Sequence, residues 1–141
     1  MPVAHSKRAR RINTNFRRGF HKSLELFNAH RLFKHTWLDH REDLVIVVEG
    51  FFDCMKLWQA GYPAVASMGS SLSDAQAEII RTHWFEAVLL FDGDDAGRKC
   101  TDHALAKLGR HMWVRAALLD EGVQPDQLAP AQIQETIDSV L

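Results

Sequence analysis

Leu44-Val45-Ile46-Val47-Val48-Glu49-Gly50-Phe51-Phe52-Asp53-Cys54-Met55-Lys56-Leu57-Trp58 changes its hydrophobic period halfway along. The first five residues form a continuous, mostly β-branched run, the pattern of a strand buried on both faces of a parallel sheet. Phe51, Cys54, Met55 and Trp58 then recur at i, i+3, i+4 and i+7, the stripe of an amphipathic helix. Gly61 and Pro63 stop that helix. The unit repeats downstream. Ala64–Met68 reads as a second strand. Ser73 and Gln76 have capping-box spacing and open a helix through Ile79, Ile80 and Trp84. Ala87–Phe91 is a third strand, followed by a helix with Ala96, Cys100, Ala104 and Leu108 on one stripe. Met112–Leu119 is a fourth strand, and a last helix lies near Ala131–Val140. Alternation of this kind predicts an α/β fold, a four-stranded, mainly parallel, Rossmann-like sheet flanked by helices.

Working outward, residues 23–42 carry Leu24, Phe27, Phe33, Trp37 and Leu38 among polar residues and are expected to form a helical segment, with room for a break. Residues 1–22 hold no acid, while Lys7, Arg8, Arg10, Arg11, Arg17 and Arg18 are basic. That stretch reads as a flexible basic arm for nucleic-acid contact, or as a solvated tail. The 141-residue chain therefore suits one domain plus an arm, with residues 43–141 as the domain. Its net charge of −1 says nothing of an anionic partner; the polarity of the charge does. Cys54 and Cys100 are not in a C-x-x-C pair and are expected as buried thiols in a reducing compartment. No apolar run is long enough for a bilayer and no signal-peptide core follows the basic start. The expectation is a cytoplasmic location with no membrane contact.

In open parallel sheets, functional groups collect beyond the carboxyl ends of the strands. Here the first strand runs into Glu49-Gly50, the second into Gly69-Ser70-Ser71, the third into Asp92-Gly93-Asp94-Asp95, and the fourth into Asp120-Glu121 with Asp126 further on. Carboxylates gathered on one edge repel one another unless a cation is bound, and hard oxygen ligands suit Mg²⁺, with Mn²⁺ as a substitute. Gly50 and Gly93 are expected to leave room for a phosphate backbone. Arg98 and Lys99, near a helix start, are placed to meet a phosphate oxygen. The plainer alternative stands beside this one: Asp-Gly is a common turn, and acids at helix starts are often caps. A calcium loop is rejected, because Ala96 and His103 stand where its later ligands belong. The scattered histidines have no metal spacing. Trp37, Trp58, Trp84 and Trp113 are expected in the core.

Several of these stretches, in this order, resemble the motifs of a Toprim domain of the bacterial replicative-primase type. Val47-Val48-Glu49-Gly50-Phe51-Phe52-Asp53 looks like its opening glutamate motif. Gly69-Ser70-Ser71-Leu72 with Gln76 is similar to the loop after its second strand. Asp92-Gly93-Asp94-Asp95-Ala96-Gly97-Arg98 is similar to its Asp-Gly-Asp-x-Ala-Gly-Arg motif, and Gln124-Pro125-Asp126 to its Asp-Pro-Asp motif. The resemblance covers about residues 43–140. It implies Glu49 as an acid/base group or metal ligand, Asp92 and Asp94 as Mg²⁺ ligands, and Asp126 as a further ligand. Asp53 would support the site, and Arg98 would be a helix-start residue of the motif. It also implies Mg²⁺-dependent nucleotidyl transfer, with single-stranded DNA or RNA, nucleoside triphosphates and a replication protein as partners. A metal-dependent nuclease and a non-catalytic nucleic-acid or partner-binding module are the alternatives. A topoisomerase is disfavoured, because Tyr62 is the only tyrosine and lies away from the acids. Gln124 replaces the first Asp of its motif. Asp120 and Glu121 are the residues in place to compensate.

Overall fold

The computed structural model describes residues 20–33 and 43–141. The basic residues Lys7 to Arg18, and Trp37 and Leu38, lie outside the described residues. Four strands, β1 (Leu44–Val48), β2 (Ala64–Ala66), β3 (Glu86–Leu89) and β4 (Trp113–Ala116), form one sheet in the order β2-β1-β3-β4. All three pairings are parallel. The strands alternate with α2 (Phe51–Gln59), α3 (Asp74–His83) and α4 (Asp95–Leu108), and α5 (Pro130–Asp138) closes the chain. The sheet is thus fully parallel, as the continuous apolar runs require.

The pleat of β1 sorts its side chains onto two cores. Val45 and Val47 point to one face with Ala77 and Ile80 of α3 and Cys100, Ala104 and Leu108 of α4. Leu44, Ile46 and Val48 point to the other, against Cys54 and Leu57 of α2 and Ile133 and Ile137 of α5. Each such fully buried aliphatic side chain stabilises by about 1.5–3 kcal/mol. Both cysteines are free and buried, as expected. The helix stripes shift slightly from the sequence pattern. Met55 is exposed, and in α4 the buried stripe begins at Gly97 rather than at the exposed Ala96. Of the tryptophans, Trp84 is buried, Trp58 half-buried and Trp113 73% exposed. Trp113 opens β4, an edge strand, and an edge residue turned away from both cores has no helix above it.

Right-handed crossovers explain the layering. From β1 the chain crosses over α2 towards one edge, and from β3 it crosses over α4, on the opposite face, towards the other. The direction of winding therefore reverses between β1 and β3. That reversal opens a crevice at their carboxyl ends.

The described part of the N-terminal segment is two short helical turns, Lys22–Leu24 and α1 (Ala29–Leu32), joined by an extended stretch. Phe27 of that stretch forms an antiparallel bridge with Ala66 on the outer edge of β2. Gln76 anchors it. The side chain is 1% exposed, and Nε2 lies 2.9 Å from both Lys22 O and Glu25 O and 2.7 Å from Ser67 O. Its Oε1 accepts the Ser73 N–H, completing the capping box anticipated for α3. Gln76→Ala removes the two amide hydrogens that these three carbonyls share and is expected to cost about 2–4 kcal/mol. Urea denaturation checks this; a loss below about 1 kcal/mol would show that water replaces the amide.

Candidate metal centre

Glu49 and Asp92 leave the sheet side by side, at the ends of β1 and β3, where the winding reverses. Each is held by its local turn. After Glu49, Gly50 N-caps α2, and its N–H donates to Asp53 Oδ2 at 3.1 Å. After Asp92, the chain turns through Gly93 into Asp94, the N-cap of α4, whose Oδ1 accepts the Gly97 N–H at 2.7 Å. The capping reading thus accounts for one oxygen of Asp94, while its charge still acts on Glu49 and Asp92.

Asp53 ties a third element to this edge. It is buried, and its Oδ1 accepts the Asp126 N–H at 3.0 Å while Oδ2 holds Gly50. One carboxylate therefore fixes both the turn that carries Glu49 and the loop that carries Asp126. Burial raises its pKa, the two N–H donors lower it, and the Asp126 charge raises it again.

These acids act on one another through their charges. Glu49 is raised above the ordinary carboxylate range by burial first, then by Asp94 and Asp53. Asp92 is pushed from 3.8 up to about 6, by burial first and then by the charges of Asp53, Glu49, Asp94 and Asp126. Two carboxylate oxygens, Asp92 Oδ1 and Asp126 Oδ1, are buried with no hydrogen-bond partner among the described residues. A buried oxygen without a donor is costly, and a bound cation satisfies it. All the donors are hard oxygens, the set suited to Mg²⁺ or Mn²⁺. Among the described residues no three His, Cys, Asp or Glu side chains form a ready-made metal cage. Mg²⁺ commonly takes only one or two carboxylates and keeps its waters, so the orphaned oxygens fit that mode better than an all-protein cage.

The glycines do something other than leave room for phosphate. A Cβ on Gly93 would lie 2.0 Å from the Asp120 carbonyl oxygen, and one on Gly50 2.8 Å from Asp53 Oδ2. Protein atoms occupy both spaces. Gly97, overlooked in the sequence pattern, belongs with them, since its Cβ would stand 1.9 Å from the Asp92 carbonyl oxygen. A glycine inside a helix costs about 1 kcal/mol against alanine, and that cost was the available signal for a close backbone approach.

Arg98 pairs with Glu121 at 2.7 Å and lies 4.0 Å from Asp95, bridging the start of α4 to the loop after β4. Glu121 is therefore engaged by Arg98. Gln124 is exposed, and its backbone N–H donates to Gln127 Oε1 at the start of the 3₁₀ turn Pro125–Gln127.

A family model described as Toprim-like matches residues 46–129. The chain is 34% identical over 111 residues to the DNA primase of Enterococcus faecalis, covering 77% of this chain and 17% of that protein. It is 32% identical over 127 residues to the DNA primase of Aquifex aeolicus, covering 89% of this chain and 25% of that protein. The chain thus spans a quarter or less of these relatives. Among solved structures, a DNA primase domain from Pseudomonas aeruginosa superimposes with a TM-score of 0.71 at 31% identity, over 86% of this chain and 40% of that one. The zinc-binding and RNA polymerase domains of the Aquifex aeolicus primase give 0.69 at 27% identity, over 89% and 32%. Four parallel strands flanked by helices, the family match and these likenesses agree: the chain belongs to the Toprim-like family, as a Toprim domain of the bacterial DNA primase type.

Proposed function

We propose that this chain acts on nucleic-acid phosphates through Mg²⁺ held by Asp92 and Asp126, with Asp94 and Glu49 beside them, in primase-like nucleotidyl transfer. The observation that carries this reading is the pair of buried, partnerless oxygens Asp92 Oδ1 and Asp126 Oδ1 at the carboxyl edge of the sheet. When bound, the metal would neutralise phosphate oxygens and lower the pKa of the attacking 3′-hydroxyl. Asp92 and Asp126 supply the anionic oxygens. Glu49, whose pKa is raised, is suited to exchange a proton with the reacting hydroxyl. Asp53 positions Glu49 and Asp126 through backbone N–H groups. Arg98 pairs with Glu121 through Nη1, and its other N–H groups are the donors for a phosphate oxygen. Catalysis in such a site is mostly positioning and charge stabilisation.

The partners that follow are single-stranded DNA or RNA, nucleoside triphosphates and a replication protein. Lys7, Arg8, Arg10, Arg11, Arg17 and Arg18 would hold template phosphates, with salt-sensitive affinity. Among the described residues no helix is long and apolar enough to cross a membrane. Gln124 favours a second reading, a module that binds nucleic acid without synthesis, because it removes one carboxylate from the motif.

One denaturing gel separates these readings. The full chain is incubated with single-stranded DNA, labelled nucleoside triphosphates and Mn²⁺, beside Asp92→Asn/Asp94→Asn. Short labelled products that vanish in the double variant are the expected result. Shortened template without new products would replace synthesis by cleavage, and an unchanged template would leave the binding module.

A further inference from the structure

Beside the acidic edge, an apolar groove runs between α2 and the segment 20–31. Its larger part, about 550 Å³, is walled by Phe20, Leu26, Phe27, Phe52, Met55 and Met68. A second hollow of about 270 Å³ shares Phe27, Asn28, His30 and Met55 with it and extends along α2 past Trp58. The wall on α2 is open to solvent: Phe52 is 73% and Met55 45% exposed. A benzyl ring so exposed at the start of a helix contributes little to the core.

Three observations say what the groove takes. It is continuous with the acids. Phe52 follows Glu49 by three residues, and the Met68 N–H donates to the Glu49 carbonyl at 2.9 Å, from a backbone held at φ +62°. It is edged by cations, with Glu25 the one acid among its lining residues. Arg31 lines the second hollow, Lys56 follows Phe52 by one helical turn, and Lys22 Nζ lies 4.0 Å from the Cβ position of Gly69, next to Met68. None of the three has an ion-pair partner among the described residues, whereas Arg81, Arg98, Lys107 and Arg115 each do. Finally, Arg17 and Arg18 precede the groove-lining Phe20 in sequence. An apolar peptide seated here would leave these cations uncompensated. A duplex hides its base faces. A single strand offers flat apolar bases and an anionic backbone together.

We propose that this groove binds single-stranded nucleic acid, with bases stacked on Phe52 and packed against Met55, and with Lys22, Arg31 and Lys56 on the phosphates, so that the strand is led to Glu49. The assignment rests on the reading of the acidic edge as a site that acts on nucleic-acid phosphates, and its test is separable from that reading.

The test is fluorescence anisotropy of a labelled oligothymidylate of about 12 nucleotides, in chelator and at low salt. Phe52→Ala/Met55→Ala is expected to weaken binding by about 10-fold or more. Lys56→Gln/Arg31→Gln should flatten the dependence of affinity on salt. Trp113→Ala, a solvent-facing aromatic at the opposite edge of the sheet, serves as the control and should change nothing. Mn²⁺ titration followed by electron paramagnetic resonance should be the same for wild type and Phe52→Ala/Met55→Ala. If wild type holds Mn²⁺ but the groove variant binds the strand as well as wild type does, or Trp113→Ala is equally weakened, the groove assignment falls and the metal reading stands. If the strand depends on Phe52 but Mn²⁺ does not bind, the metal reading falls instead. Self-association that light scattering finds in wild type and not in Phe52→Ala would also overturn the assignment, making a second copy the occupant.

Discussion

In chelator, Asp92→Asn is expected to melt higher than wild type, and with Mg²⁺ or Mn²⁺ the order reverses. The reason lies in the crowding of carboxylates at the reversal point. Burial and four neighbouring charges raise the folded-state pKa of Asp92 to about 6, from 3.8. A raised acid pKa means that the native state holds the proton more tightly than the unfolded chain does. Between about pH 4 and 6, stability therefore falls as pH rises, and at neutral pH the full penalty is present. Asp92 is half-buried, so solvent screening reduces that penalty to about 1 kcal/mol. Removing the charge returns it, a rise in Tm of about 3 °C for a domain of this size. Bound metal turns the repulsion into attraction. At 100 times its dissociation constant a ligand specific to the native state adds about 2.7 kcal/mol. Asp92→Asn, lacking that ligand charge, should show less than about a tenth of the metal affinity and no more than a trace of activity. The checks are paired melting curves with and without metal. A variant that loses stability in chelator, or gains as much from Mn²⁺ as wild type, would remove Asp92 from the metal centre.

That inversion is a property of a site, and its parts were unequally legible in the sequence. The strands were plain, because Leu44–Val48 and Ala87–Phe91 are buried on both faces and carry no polar interruption. Their ends were not, since Leu90 and Phe91 remain buried beyond the end of β3 at Leu89, Leu90 with a last hydrogen bond to Val47 O. Periodicity reports burial and is silent on hydrogen-bond pairing. Trp113 was misplaced for the converse reason: its strand lies at an edge, where hydrophobic character does not guarantee a covering helix. The acids could be assigned to one edge from their positions after strands, but the reciprocal arrangement could not. Asp53 receives the Asp126 N–H across 73 residues of sequence, and no local pattern encodes that distance. Gln76 was visible as a capping residue and as part of the loop motif, and neither showed what its amide holds. Its amide, reaching back more than 50 residues to Lys22 and Glu25, is a tertiary fact. The groove beside α2 was likewise invisible, since it depends on Phe27 lying against the outer strand.

Gly93→Ala should be the most damaging single-methyl change at this edge. Its Cβ would meet the Asp120 carbonyl oxygen at 2.0 Å, the Asp120 carbonyl carbon at 2.9 Å and the Leu119 carbonyl oxygen at 3.0 Å. All three are backbone atoms, so no rotamer change relieves the clash. The two loops are also zipped together: the Gly93 N–H donates to Val123 O at 2.8 Å, and the Gly122 N–H donates to Gly93 O at 2.9 Å. Displacing residues 119–123 breaks both bonds and strips cover from the start of α4, for an expected loss of about 3–5 kcal/mol. The displaced loop leads directly to Asp126, so metal affinity should fall in whatever fraction stays folded, even though Gly93 has no side chain to offer a metal. Gly122→Ala is the matched control in the same pair of loops. Gly122 adopts φ +74° but faces open space, so alanine there meets only backbone strain of about 1–2 kcal/mol. Urea unfolding of the two variants, with Mn²⁺ titration of each, decides the matter. A Gly93→Ala cost no greater than that of Gly122→Ala would mean that the loops part easily. In that case the position of Asp126 would be set by Asp53 alone.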